Sequence, residues 1–332
     1  MTTRLAPRSS SLVAILLAAL GLLGSACGGT SGPPSPGGAG DPGGAAAGYG
    51  VPVQAFPGWR ERALLVLTNA VRLSPVAYRD RYAADFSPSL SAAGALSGYP
   101  AAGPLRWNQA LNRSAREHSA DMGTNGCFQH DSCDGTSWST RIATLYKLSG
   151  TMGENIAAGY PGPADPRHAM SMWLCDASGG SCCADRAGCD GHRSNIMNGG
   201  FRAMGPGYAQ VSGNYQNYWT QDFGGASDAP ASPLVDGSHV FFPAGRITFL
   251  ANFVDSAAPR SVKLVLSGAE VAMSLDLGAA ASGTYAASAA VGSGCRGYHF
   301  VATDAAGGSW RYPASGEFQT YGEGSCADDW VP

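Results

Sequence analysis

The sequence predicts an α+β protein in which a mixed helical and β region is followed by an all-β sandwich. Apolar residues recur at helical spacing in several separate segments from Trp59 onward. Residues 201–210 and 215–223 flank a Val-Ser-Gly-Asn turn and indicate a β-hairpin. Beyond residue 239, short alternating segments are separated by turn residues, which is the pattern of an antiparallel sandwich.

The N-terminal residues 1–26 predict a secretory signal peptide. Arg4 and Arg8 precede an apolar run that is too short to span a membrane, and small residues then lead to Cys27. Acylation of Cys27 would make the mature chain a membrane-anchored lipoprotein, and ordinary cleavage just before Cys27 is the alternative. Residues 27–58 are rich in Gly, Pro and Ala and predict a flexible linker. We therefore expect an exported protein, either extracellular or anchored.

Charge and cysteine usage narrow the class of partner and of compartment. The net charge of −3 at pH 7 lacks the basic excess of a nucleic-acid-binding protein. Without Cys27, an even number of cysteines remains, which predicts disulfides in an exported chain. We expect Cys127–Cys133 and Cys295–Cys326. Pairing of the other four stays open, and a zinc cluster built from them is a weaker alternative; these are Cys175, Cys182, Cys183 and Cys189.

The first predicted helix runs from Trp59 to the Ser-Pro pair at 74–75 and is amphipathic. Its polar residues Asn69 and Arg72 are expected to be solvated or to cap the helix. Residues 83–103 are rich in Ser, Ala, Gly and Pro and predict a loop.

Two further helices are predicted before the centre of the chain. The first follows Asn108 and carries His118 on its apolar stripe, where a histidine is expected to be a satisfied core residue rather than a ligand. Ser137 and Ser139 are plausible N-caps for the second, which stops at the Ser-Gly pair at 149–150.

Asp165-Pro166 predicts another helix start, because the acid can cap and proline suits the first helical position. Helical spacing then places Asp176 on the buried face, together with Ala169, Met172 and Trp173. A buried acid needs a partner, and His192 is the natural candidate.

Four ionisable residues on apolar backgrounds appear in separate segments: His130, Glu154, Asp176 and His192. Glu154 stands between glycines at 153 and 159, which let the backbone pack closely and present one side chain inward. Two histidines and two carboxylates are the components of a buried polar site or of a divalent-metal site.

Seven motifs in this order resemble the CAP superfamily of cysteine-rich secretory, antigen 5 and pathogenesis-related proteins, in its bacterial SCP-like extracellular form. The resemblance covers residues 59–225, followed by a linker at 226–238 and, at 239–332, a sandwich similar to immunoglobulin- or fibronectin-like domains. The matching residues are Asn69 with Arg72, Leu105-Arg106-Trp107-Asn108, Phe128-Gln129-His130, Gly153-Glu154-Asn155-Ile156-Ala157, Met172-Trp173-Leu174-Cys175-Asp176, Gly191-His192-Arg193-Ser194-Asn195-Ile196-Met197 and Tyr218-Trp219-Thr220-Gln221-Asp222-Phe223.

The resemblance implies an α-β-α sandwich whose cleft carries a His/Glu/Glu/His tetrad. His130, Glu154 and His192 match that tetrad position by position. Asp176 stands where the family has Glu, so its carboxylate is one methylene shorter and its reach is in question. The cysteine-rich insertion between Asp176 and His192 also departs from the compact bacterial pattern.

Three functions follow as hypotheses. The first is an exported, non-catalytic protein that binds an envelope, lipid or protein ligand through its cleft and the sandwich together, with no tetrad residue assigned as catalytic. The second is a hydrolytic site in which His130 and His192 weakly hold zinc or another divalent cation, and Glu154 and Asp176 orient them or act as a general base. The third, implied by the family, is lipid or sterol binding. A purely structural network is the alternative for the tetrad itself.

Overall fold

The computed structural model describes residues 49–83, 88–159, 165–178, 181–212, 215–242, 245–323, 326 and 329–332. The predicted signal peptide, Cys27 and most of the predicted linker 27–58 lie outside the described residues. Helices concentrate before residue 200 and strands dominate after it, which confirms the α+β class. Within the described ranges, no helix has the length and apolar character needed to cross a membrane.

The helices are α1 (Trp59–Leu73), α2 (Pro75–Tyr78), α3 (Pro88–Ala92), α4 (Gln109–Asn125), α5 (Trp138–Leu145), α6 (Pro166–Cys175) and α7 (Gly191–Ile196). The strands of the first half are β1 (Arg106–Trp107), β2 (Met152–Gly159), β3 (Ala177–Ser178), β4 (Ser181–Cys182), β5 (Ala203–Gln210) and β6 (Asn217–Gly224). The strands of the second half are β7 (Leu234–Phe242), β8 (Arg246–Val254), β9 (Ser261–Leu266), β10 (Ala269–Ala272), β11 (Ser274–Ala279), β12 (Ser282–Ala290), β13 (Gly297–Thr303), β14 (Ser309–Tyr312), β15 (Glu317–Gln319) and β16 (Trp330–Val331).

A four-stranded sheet in the order β1-β5-β6-β2 is the centre of the first half. Its β5–β6 pair is the predicted hairpin. Because side chains alternate along a strand, each strand presents one set to α4 and α5 and the other to α1 and α6. Glu154 and Asp222 lie directly opposite each other on the α4 face, whereas Asn155 and Gln221 are paired on the α1 face.

The predicted helix from Trp59 is confirmed as α1. It is buried on nearly all sides, so the prediction that its polar face is solvated is wrong. Asn69 and Arg72 are fully buried rather than solvated. The Asn69 amide bonds the Leu105 backbone in both directions, at 2.7 Å each. The Arg72 guanidinium donates to the carbonyl oxygens of Ile196, the last residue of α7, and of Asn198. The two polar residues therefore join segments of the first half from inside the core.

Two boundaries also differ from prediction. Helix α3 interrupts the predicted loop 83–103. Strand β7 begins at Leu234, inside the predicted linker 226–238. Helix α5 has Ser137 as its N-cap, as predicted, with the serine hydroxyl accepting from the Thr140 N–H.

The second half folds as two packed sheets, β11-β12-β8-β7 and β10-β9-β13-β15-β16 with β14 beside β13. The first of these sheets packs on α1, so α1 lies between two sheets. Asp236 of β7 accepts hydrogen bonds from Asn69 at 2.5 Å and from Asn252 at 2.7 Å. The Asn252 amide also donates to the Val66 carbonyl oxygen at 2.9 Å. Buried polar bonds therefore fix the sandwich to the helix.

A second contact joins Asp329, directly before β16, to the start of helix α1. The Asp329 carboxylate accepts from the Trp59 N–H at 2.5 Å and from the Arg62 guanidinium at 3.1 Å. The Trp59 ring stacks between Tyr321 and His239, with ring centroids 4.8 Å and 5.5 Å away. Residues of the second half thus pack against the first turn of α1.

Glu61, on the same turn of α1, makes the stability of this junction depend on pH. Burial raises the pKa of Glu61 from 4.5 to about 7, Arg116 and Arg62 oppose that rise, and Asp329 adds to it. The folded protein therefore holds a proton that the unfolded chain releases, so stability falls as pH rises from about 4.5 to about 7 and then levels off.

We expect Glu61→Gln to be more stable than the parent by about 3 kcal/mol at pH 8 and equal to it at pH 4. Denaturant unfolding at both pH values measures this difference. Glu117→Gln, at an exposed acid of α4, is the control and should show no such gap. A stability gain for Glu61→Gln that is the same at both pH values would contradict the assignment.

Disulfides join the cysteines of the described residues in pairs. Cys127–Cys133 and Cys295–Cys326 are confirmed. The pairings that the sequence left open are Cys175–Cys182 and Cys183–Cys189. The alternative of a zinc cluster built from these four cysteines is therefore wrong, because their sulfurs are bonded to one another.

Candidate functional site

Glu154 is a buried carboxylate held by two partners from different elements. It lies on β2, and its side chain is 1% exposed. His130 Nδ1 lies 2.8 Å from its Oε1 atom, and Arg141 of α5 donates to its Oε2 atom. Arg141 also donates to the His130 carbonyl oxygen at 3.0 Å. One guanidinium thus fixes both the acid and the backbone of its histidine partner.

Asp176 and His192 form a second pair of the same kind. Helix α6 ends one residue earlier than the predicted face requires, and Asp176 is its C-cap in the left-handed region, with φ 47°. The shared face holds for Ala169 and Trp173 but not for Met172, which is 37% exposed.

From that cap position, Asp176 Oδ1 pairs with His192 Nδ1, and Oδ2 accepts from the Arg193 N–H at 3.1 Å. The shorter acid therefore reaches its histidine because the backbone turns toward it.

The two pairs are tied together by three amide side chains. The Asn195 amide donates to the Glu154 carbonyl oxygen at 3.1 Å and to Asn155 Oδ1 at 3.0 Å. The Asn155 amide donates to the His192 carbonyl oxygen at 3.1 Å and to Gln221 Oε1 at 3.0 Å. The strand of Glu154 and the helix of His192 therefore hold fixed relative positions, and the tetrad has a built scaffold.

Helix α7 is only six residues long and is held mainly by Arg193. This fully buried guanidinium donates to the carbonyl oxygens of Leu174 and Cys183, at 2.6 Å and 2.8 Å. It also pairs with Asp185 at 2.9 Å, inside the cysteine-rich insertion. The insertion and its two disulfides therefore support the helix that carries His192.

His118 supports the loop of His130 through a contact with the neighbouring backbone. It is buried, as predicted, and its Nε2 atom lies 3.0 Å from the Gln129 carbonyl oxygen. Burial lowers the pKa of His118, which favours the neutral ring. Together with the Cys127–Cys133 disulfide, this bond fixes the loop on which His130 lies.

The exposed parts of the tetrad are the histidines. The side chain of His130 is 49% exposed and that of His192 is 35% exposed, whereas Glu154 and Asp176 are at 1% and 5%. Each Nδ1 atom is bonded to a buried carboxylate, which leaves Nε2 as the imidazole atom available for a ligand. The site therefore presents two histidines, each oriented by its own acid.

This donor set fits a metal ion held by two imidazoles, because metal-binding histidines commonly bond a carboxylate through their other nitrogen. The acids are already engaged, so they would support His130 and His192 rather than complete a four-residue ligand set. Among described residues, the one group of three close donors is Asp121 with Cys127 and Cys133, whose sulfurs are joined in a disulfide. That group is not a metal site.

The αL cap at Asp176 gives a direct test of how the second pair is built. We expect Asp176→Ala to lower the free energy of unfolding by about 2–3 kcal/mol, because the Arg193 N–H loses its acceptor and alanine is strained at positive φ. Asp176→Asn should cost about 1 kcal/mol, since asparagine tolerates this backbone and keeps an acceptor oxygen. Chemical denaturation compares the two variants, and equal losses would argue against the cap.

Arg141 and Asp222 belong to the surroundings of the site but were not singled out from the sequence. Arg141 is the one cation of α5, the helix directly before the strand of Glu154. A buried acid needs a counter-charge, so the cation of the preceding helix could have been predicted as the partner of Glu154. Asp222 lies within the motif from Tyr218 to Phe223, but the sequence does not predict the strand register that places it opposite Glu154.

Comparison with known proteins agrees with these motifs. Residues 67–223 match the family described as CAP: Cysteine-rich secretory protein family. The uncharacterized protein YkwD of Bacillus subtilis is 32% identical over 120 residues, which are 36% of this chain and 39% of YkwD. The chain thus spans about two fifths of that curated relative.

Three solved structures are also similar to parts of the chain. An extracellular protein containing an SCP domain from Bacillus anthracis is 26% identical, with a TM-score of 0.32, covering 50% of this chain and 40% of that one. An outer surface protein of Borrelia burgdorferi is 15% identical, with a TM-score of 0.29, covering 45% and 92%. Venom allergen-like protein 4 of Schistosoma mansoni is 16% identical, with a TM-score of 0.31, covering 52% and 96%.

Structural similarity at these TM-scores is too low to support an assignment. The family match and the ordered motifs do support one, because the matched range contains all four tetrad residues. Residues 67–223 are a CAP domain of the cysteine-rich secretory protein family.

Proposed function

We propose that this protein is an exported, non-catalytic binding protein whose CAP cleft takes its ligand through the Nε2 atoms of His130 and His192. The observation that carries this proposal is the state of the two acids. Glu154 is bonded to His130 and Arg141, and Asp176 is bonded to His192 and the Arg193 N–H. A carboxylate general base must be within hydrogen-bond reach of the reacting proton, and both acids are buried and already bonded, which argues against either of them as the base of the hydrolytic alternative.

Export is supported by the cysteines and by the N-terminal pattern. Disulfides persist in oxidising compartments, and those of the described chain lie in both halves of the protein. Residues 1–26 have the basic start and apolar run of a signal peptide. Lipid attachment at Cys27 is the proposed route to a membrane-anchored form.

A second candidate, a divalent-metal site at the same two histidines, is favoured by the carboxylate bonded to each Nδ1 atom. When bound, such an ion supplies a Lewis acid and lowers the pKa of a bound water. Glu154 and Asp176 would orient the two imidazoles, and Arg141 would hold Glu154 in place. Zinc is the appropriate probe, since imidazole nitrogen is among its preferred ligands.

Calorimetric titration of the purified chain with zinc chloride tests both candidates, together with an ester-hydrolysis assay on p-nitrophenyl acetate. We expect zinc binding by the parent, no binding by His130→Ala/His192→Ala, and no turnover above buffer. His168→Ala, at an exposed histidine of α6, is the matched control and should bind like the parent.

Equal null titrations for the parent and the double variant would remove the divalent-metal candidate. Zinc-dependent turnover that disappears in the double variant would instead establish the hydrolytic alternative.

A further inference from the structure

Behind the tetrad, Asp222 is a buried acid that the proposed binding site does not use. It lies on β6 directly opposite Glu154 of β2, and opposite Gly205 of β5 on its other side. Directly opposed residues of an antiparallel pair have Cβ atoms about 5 Å apart and share one face of the sheet. The Asp222 side chain is fully buried.

Among the described residues, neither carboxylate oxygen of Asp222 has a hydrogen bond of good geometry. The Ser114 hydroxyl of α4 and the Glu154 carboxyl are its near polar neighbours, and the Ser114 hydroxyl is also buried without a well-formed bond. Glu154, in contrast, is bonded by both His130 and Arg141. Of the two facing acids, Glu154 therefore has the cation and the imidazole, and Asp222 has neither.

Two facing carboxylates in a dry site cannot both ionise without strong repulsion. The charged and titratable groups around Asp222 are Glu154 from β2, Arg141 from α5 and, next to these two, the buried His118 of α4. Strand β5 contributes only Gly205 opposite Asp222. Burial and the Glu154 charge raise the pKa of Asp222 well above its usual value, while Arg141 and Ser114 oppose that rise.

We propose that Asp222 is a positioning residue of the cleft, held as a neutral carboxylic acid so that Glu154 alone carries the negative charge. An ionised Asp222 would compete with Glu154 for the Arg141 guanidinium. That competition would weaken the Glu154–Arg141 pair and with it the hydrogen bond between Glu154 and His130. The neutral acid therefore keeps the Glu154–Arg141 pair intact and the His130 ring in one orientation.

The inference deepens the proposed function, since His130 is one of the two groups assigned to the ligand, but it is tested without any ligand. A failed zinc titration would thus leave it standing, and its own failure would leave the histidine site untouched.

The test is carbon NMR of the aspartate carboxyl groups in labelled protein, with the Asp222 signal identified by its absence in Asp222→Asn. At pH 7 we expect Asp222 at the position of a protonated acid and the exposed Asp134 at that of a carboxylate. On raising the pH, the His130 ring signals should shift with the same midpoint as the Asp222 carbon. In Asp222→Asn, that alkaline step should be absent.

An Asp222 carbon at the carboxylate position at pH 7 would overturn the proposal, and so would an alkaline step of His130 that persists in Asp222→Asn. If the variant does not fold, through-bond connection of each carboxyl carbon to its Cβ, and from there to the sequentially assigned backbone, identifies the Asp222 signal in the parent protein. The parent then decides the question by itself.

Discussion

Gly205→Ala is expected to lower the free energy of unfolding by about 4 kcal/mol or more, the largest effect of any single methyl group in the first half of the chain. An added Cβ would lie 1.9 Å from the backbone nitrogen of Asn112 and 2.3 Å from the carbonyl carbon of Leu111. Both atoms belong to the backbone of α4, so no side-chain rotation can relieve the contact. The helix would have to move away from the sheet.

The close approach at Gly205 also determines the environment of the site. Gly205 faces Asp222 across the β5–β6 pair, and Asp222 faces Glu154 across β6–β2. Because Gly205 has no side chain, the α4 backbone covers this part of the sheet and keeps Asp222 dry. Separation of α4 from the sheet would therefore admit water to Asp222 as well as reduce packing.

Gly199→Ala is the matched control, since an added Cβ there has nothing within 4 Å and its backbone is not in the left-handed region. It should change stability by less than about 0.5 kcal/mol. Urea unfolding followed by circular dichroism measures both variants. A cost below about 1 kcal/mol for Gly205→Ala would contradict the packing described for α4.

Arg141→Met is expected to destabilise the protein by about 3–5 kcal/mol, because it leaves Glu154 as a buried charge without a cation. Its neighbour Asp222 cannot compensate, since it is also an acid. Adding Glu154→Gln to this variant removes the uncompensated charge and should restore most of the loss. The coupling between the two substitutions is therefore expected to be strongly positive.

Arg113→Met provides the comparison for an exposed ion pair. Arg113 and Glu117 lie four residues apart on α4 and are both more than half exposed, so the pair should contribute about 0.5 kcal/mol or less. Thermal unfolding of the single and double variants measures these differences. Equal stabilities of Arg141→Met and Arg141→Met/Glu154→Gln would show that Arg141 does not serve to neutralise Glu154.

Much of the fold was accessible from the sequence because local signals and motifs agreed. The N-caps Ser137 and Asp165 lie where predicted, and β5 pairs with β6 as the predicted hairpin requires. The His192 partner of Asp176 was also predicted, from the need of a buried acid for a partner.

What could not be predicted depends on contacts between distant segments. Asn69 is polar and lies on a helix, and its burial depends on contacts with the Leu105 backbone and with Asp236, 167 residues away. Asp176 reaches His192 because its backbone is in the left-handed conformation. The presence of Asp in place of Glu does not by itself predict that conformation. Arg141 and Asp222 join Glu154 through tertiary packing and strand register, neither of which has a local signature.

The proposed binding site depends on the orientation of the His130 and His192 rings, which nitrogen NMR of histidine-labelled protein measures directly. At a pH where both rings are neutral, His130 and His192 should each carry their hydrogen on Nδ1, bonded to Glu154 and Asp176, with Nε2 unprotonated. Exposed His168 should show the mixture of tautomers of a free imidazole. A hydrogen found on Nε2 of either histidine would contradict the proposed orientation of these rings.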